Sequence, residues 1–200
     1  KVLTKGGAIN LFAGSITHSG ELNANSVQID EQGNIQLIAQ QDIALTEQSQ
    51  TISNNTHGDA GSISLNAESI IQSGQLNANS QISHGGEIKI NAKHGFSQGN
   101  TLNANGRNGG SININAGVIS LAGKINTQGV DQEGGDITIQ SSTLILQNTH
   151  SHLNASGKQG GKITVLADQQ VTSSASYISE GISGQGGQID LSAPATKLLS

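Results

Sequence analysis

Apolar and polar residues alternate along this chain in short bursts, and one burst returns at a nearly constant interval. Gly7-Ala-Ile-Asn-Leu-Phe-Ala13 is followed by Gly33-Asn-Ile-Gln-Leu-Ile-Ala39, Gly61-Ser-Ile-Ser-Leu-Asn-Ala67 and Gly86-Glu-Ile-Lys-Ile-Asn-Ala92. The series continues as Gly110-Ser-Ile-Asn-Ile-Asn-Ala116, Gly135-Asp-Ile-Thr-Ile-Gln-Ser141, Gly161-Lys-Ile-Thr-Val-Leu-Ala167 and Gly187-Gln-Ile-Asp-Leu-Ser-Ala193. Successive leading glycines are 26, 28, 25, 24, 25, 26 and 26 residues apart. Period-two alternation predicts a half-buried strand, with Ile, then Leu or Val, then Ala inward and the polar residues outward.

A second apolar pair follows in each unit, read as Ile43 and Leu45, Ile119 and Leu121, and Leu144 and Leu146. A third short strand is read in Leu22-Asn-Ala24, Leu76-Asn-Ala78, Leu102-Asn-Ala104, Ile125-Asn-Thr127 and Leu153-Asn-Ala155. Three strands and three turns per unit make one closed coil. Short strands with frequent turns would also suit a sandwich. A sandwich, however, has no reason to repeat the same side chains at one fixed interval. In a parallel β-helix each strand pairs with its equivalent one coil away, so like residues stack in ladders. The prediction is therefore an all-β, right-handed parallel β-helix of about eight coils of about 25 residues, since the hexapeptide rhythm of left-handed solenoids is missing. Residues 1–200 read as one β-helix segment that stops after the first strand of the eighth unit, without amphipathic caps, as expected for a fragment of a longer rod. At one strand spacing per coil the segment is roughly 35 Å long.

The second glycine of each Gly-Gly pair persists in all units, as Gly7, Gly33, Gly61, Gly86, Gly110, Gly135, Gly161 and Gly187, while the first relaxes to Gln32 and Ala60. These structural turn glycines supply either a positive φ or a close backbone approach where the third strand turns into the next first strand. Turn length varies just before them, as in 79–85 against 105–109.

Composition alone would suggest disorder: glycine is abundant and only 2% of residues are aromatic. Disorder usually brings proline and charge runs, however, and here Pro194 is the sole proline and 12% of residues are charged. The net charge of −5, with Arg107 the one arginine, argues against a nucleic-acid or anionic-membrane surface. No apolar run reaches the ~20 residues of a membrane-spanning helix, so no membrane insertion is expected.

Candidate chemistry is sparse, and no catalytic residue, metal site or cofactor is assigned. His150 and His152 sit two apart like a metal pair, but no acid or cysteine beside them completes a ligand set. Asp131, Glu133 and Asp136 form the densest acidic cluster, with Lys158 and Lys162 one coil later. Polysaccharide lyases built on parallel β-helices use clustered acids and a basic proton acceptor, so a lyase-like enzyme is the distant alternative; fold alone is no evidence of activity. The calcium nonapeptide pattern fails because Ile112 and Ile163 stand where it needs glycine. The glycines at 181, 184 and 186 precede no helix pattern, so they make no phosphate loop. Asn54-Asn-Thr56 and Asn154-Ala-Ser156 match the short, common glycosylation sequon. Asn23, Asn77, Asn103, Asn126 and Asn154 fall in one outward column of the third strand. They form either a polar contact face for a glycan, a protein or ice, or a ladder of inter-coil hydrogen bonds. Phe12 replaces an outward polar residue, as a ligand contact or as a cover for the end of the stack.

The pattern Gly-Gly-x-Ile-x-Leu-x-Ala, then Ile-x-Leu, then Leu-x-Ala or Ile-x-Thr, resembles the repeat region of filamentous-haemagglutinin-like exoproteins. These are the adhesins, haemolysins and contact-dependent toxin carriers of bacterial two-partner secretion. The resemblance extends over all the units and is cleanest across 85–105 and 109–129. It implies a right-handed parallel β-helix exported through an outer-membrane transporter to the cell surface or the medium, with a role in attachment. The leading expectation is a structural shaft of a large adhesin. The alternative is a module that binds a host glycan or surface protein directly along its face.

Overall fold

The computed structural model of the chain describes residues 1–199. These residues form an all-β solenoid of about seven turns of about 26 residues. Every strand pair is parallel, and each joins equivalent positions of neighbouring coils. First-face strands begin at Ala8–Ala13 and Asn34–Ala39 and end at Lys162–Ala167 and Gln188–Ser192. In the four middle coils the first and second faces are one long strand: Ser62–Gln72, Glu87–Gln98, Ser111–Leu121 and Asp136–Gln147. Together these faces make a 12-stranded sheet, and the third faces make an 8-stranded sheet opposite.

The core is a set of aliphatic columns. Ile35, Ile63, Ile88, Ile112, Ile137 and Ile163 lie in register and are fully buried. Leu37, Leu65, Ile90, Ile114, Ile139 and Val165 form the next column inward along the strand. Ala39, Ala67, Ala92 and Ala116 close it at the bend, where only a small side chain fits between the two faces. Each coil buries its apolar edge only against its neighbours, which is why one coil alone has no core.

Beyond the bend the predicted phase fails in one coil. Leu144 and Leu146 were expected inward, but Ile145 is the buried residue and Leu146 is 42% exposed. Ile145 pairs with Ile119, and the register shifts at the bend, where Ser142 and Thr143 stand against Gly117 alone. One added residue reverses which side chains face in. Three further third-face strands, Val2–Leu3, Gln50–Ile52 and Ser176–Ile178, lie outside the predicted set, with Val2, Thr51 and Tyr177 in the place of leucine. The second face likewise continues further than expected, with Ala195–Leu198 pairing with Gln170–Ser173.

The turn glycines act through close approach. Gly6 is the sole described residue with positive φ, so the left-handed alternative does not apply to the eight repeat glycines. A Cβ on Gly61, Gly86, Gly110 or Gly135 would overlap the carbonyl oxygen of the equivalent glycine one coil earlier. Gly7 differs, its nearest neighbour being the Thr4 hydroxyl. The peptide N–H of Gly86 donates to the Ala78 carbonyl at 2.8 Å, closing its own coil. Its carbonyl accepts from Ser111 N–H at 3.0 Å, tying the next coil on. Gly110, Gly135 and Gly161 repeat both bonds.

Candidate functional site

The third face carries the five asparagines singled out from sequence. Asn77, Asn103, Asn126 and Asn154 are consecutive in register, while Ile52 separates Asn23 from them. Asn103 Nδ2 donates to Asn77 Oδ1 at 2.8 Å, and Asn126 Nδ2 donates to Asn103 Oδ1 at 2.8 Å. Asn154 instead accepts the Ser156 backbone N–H at 2.9 Å. Asn23 donates to Glu21 Oε1 at 3.0 Å, and this bond, ahead of the Lys1 contact, holds the Glu21 carboxyl below its ordinary pKa. All five are half-buried.

A second asparagine ladder two residues further on had not been foreseen. Asn25 Oδ1 accepts the Asn54 N–H at 2.8 Å, Asn54 Oδ1 that of Asn79 at 2.7 Å, and Asn79 Oδ1 that of Asn105 at 2.9 Å. Asn105 Oδ1 receives Gln128 N–H at 2.8 Å. Each amide thus satisfies a turn N–H that its own coil leaves open. The signal was present in sequence as Leu-Asn-Ala-Asn, repeated at 22–25, 76–79 and 102–105.

The other candidates separate on geometry. A shallow groove of about 920 Å³ runs over the turn glycines, flanked by Asp59, His84, Glu87, Glu133 and Asp136. Asp59 Oδ1 lies 2.9 Å from His84 Nδ1 and also accepts from the Ser83 hydroxyl. Ser83 and Asp59 both meet the same ring nitrogen side, so the hydroxyl has no base on the far nitrogen and no hydrolytic triad results. The Ser83 hydrogen bond, then His84, lowers the Asp59 pKa. Glu133, Asp136 and Lys162 do share the next stretch of this groove, about 360 Å³, but Lys162 turns to Asp190 and Asp131 to Arg107, each at 3.9 Å. His150 and His152 are exposed, and no group of three metal-ligating side chains occurs among the described residues. Phe96 is buried in the second-face column between Ile70 and Ile119, whereas Phe12 is outward and 67% exposed.

A further concave feature is a crease of about 510 Å³ at the outer side of the bend between first and second faces. Asn66, Asn91 and Asn115 line it in register, and Gln140 continues their column. Across it, Glu68 is held by Lys93 and His94, both at 3.1 Å. In comparisons with known proteins, the chain matches no family model, no curated sequence and no solved structure.

Proposed function

We propose that this chain is a stretch of the structural shaft of a large bacterial adhesin, secreted or held at the cell surface, that displays or mediates attachment. The observation that carries this reading is the unbroken stack, in which each coil hydrogen-bonds along two sheets to the next. Such a body resists bending and sets distance, because every strand is held by its neighbours rather than by a hinge. The resemblance of the repeat to filamentous-haemagglutinin-like exoproteins supplies the partner, an outer-membrane transporter of two-partner secretion. A carbohydrate or protein at a host surface would be the target of the assembled adhesin.

The test uses intact cells of the bacterium that makes the protein. Antibodies against residues 1–200 should label unpermeabilised cells, and deletion of the segment should abolish attachment to host cells. In-frame duplication of residues 86–134, which adds two whole coils, should leave attachment intact. Labelling that requires permeabilisation, or attachment indifferent to the deletion, would overturn the shaft reading.

A further inference from the structure

We propose that the crease at the bend is a binding site for an uncharged linear polysaccharide lying along the solenoid axis, a function that the shaft reading does not require. Three observations converge on it. First, the side-chain amides of Asn66, Asn91, Asn115 and Gln140 make no hydrogen bond among the described residues, and all but the half-buried Asn91 are exposed. An amide both donates and accepts, as a sugar hydroxyl does. Four of them repeat at the inter-strand spacing of about 4.8 Å, a step close to the length of one sugar ring in an extended chain.

Second, the same column is headed by Phe12 and then Ile38, through the pairs Phe12–Ile38 and Ile38–Asn66. An exposed aromatic ring in line with free amides offers an apolar face to the C–H side of a pyranose, two coils from the first amide. Third, Lys93 on the opposite wall is paired with Glu68, which leaves Lys89, outward two residues before Asn91, as the unpaired ammonium beside the crease among the described residues. A carboxylated or sulfated chain would set a charge on every ring against that single ammonium, whereas a neutral chain exchanges water for the amides at a smaller desolvation cost. The crease therefore selects for hydroxyls and against charge.

The test is affinity electrophoresis and calorimetry of the whole chain against soluble linear β-glucan and mannan, with heparin and polygalacturonate as charged probes. Saturable retention by at least one uncharged polymer is expected, with little by the charged ones. Asn91→Ala with Asn115→Ala should weaken binding about tenfold, as the loss of two modest hydrogen bonds implies. Phe12→Ser should weaken binding of long chains while sparing short oligosaccharides that reach only the amides. Asn103→Ser on the third face should leave affinity unchanged, and circular dichroism of each variant establishes folding. No binding to any uncharged polymer overturns the proposal. So does binding led by the charged probes, or binding insensitive to the folded crease variants.

Discussion

Among the columns of side-chain amides that run down this molecule, two on different faces are used in opposite ways. On the third face Asn77, Asn103 and Asn126 bond to one another, so their polar atoms are consumed in holding coils together. In the crease Asn66, Asn91 and Asn115, with Gln140 continuing their column beyond it, keep the same register with no partner among the described residues. Register alone therefore does not make a ladder. Third-face asparagines are half-buried beside a tight turn, where solvent competes poorly for the amide. Crease amides stand at an open corner, where water satisfies them at no cost in side-chain freedom. One column is cohesive and the other is available.

Several substitutions would break or sharpen that contrast. The largest effect is expected from Gly86→Val, whose side chain would overlap the Gly61 carbonyl and press on Ala78. Forcing two coils apart should cost about 3 kcal/mol and disturb both columns, read as a lower urea midpoint. Gly99→Ala, with nothing nearer than 3.7 Å, should change the unfolding free energy by less than about 0.5 kcal/mol. Next comes Asn103→Ala, which removes both ladder bonds and should cost about 1–2 kcal/mol. Asn115→Ala in the crease should fall within about 0.5 kcal/mol of the parent. Equal losses at the two positions would erase the distinction. Ile52→Asn, which fills the one gap between Asn23 and Asn77, should raise the unfolding free energy by about 0.5 kcal/mol.

The smallest effect concerns acid. The Asp59 pKa is lowered by the Ser83 hydroxyl and then by His84. A lowered carboxyl stabilises the fold above its unfolded pKa, and that contribution is lost as pH falls through the folded value. The loss should fall below about pH 4, and Asp59→Asn should flatten it in denaturation curves at pH 3 and pH 5. The amide columns do not titrate, so their difference should survive the same pH change.

Much of this arrangement is legible in the chain because a solenoid forces equivalent residues to repeat. In the inner coils the first-strand isoleucines and bend alanines are buried where periodicity places them, and Gly61, Gly86, Gly110 and Gly135 pack against the preceding coil. Leu144-Ile-Leu146 misleads because three adjacent aliphatics fit either phase, and the extra bend residue that decides it has no sequence marker. Thr51 hides its strand because a buried hydroxyl replaces the expected leucine. The crease amides were visible as Leu-Asn-Ala67, Ile-Asn-Ala92 and Ile-Asn-Ala116. Their freedom was not, since an outward polar residue looks the same in sequence whether or not a neighbour takes its hydrogen bonds.

The pair of hydrogen bonds made at each turn glycine from Gly61 to Gly161, one into its own coil and one to the next, gives the chain a modular arithmetic. A coil excised or copied as a whole leaves both junctions chemically identical, so recombination between repeats lengthens or shortens the body in uniform steps. Reach becomes a heritable count, open to change by unequal crossover without redesign of any side chain.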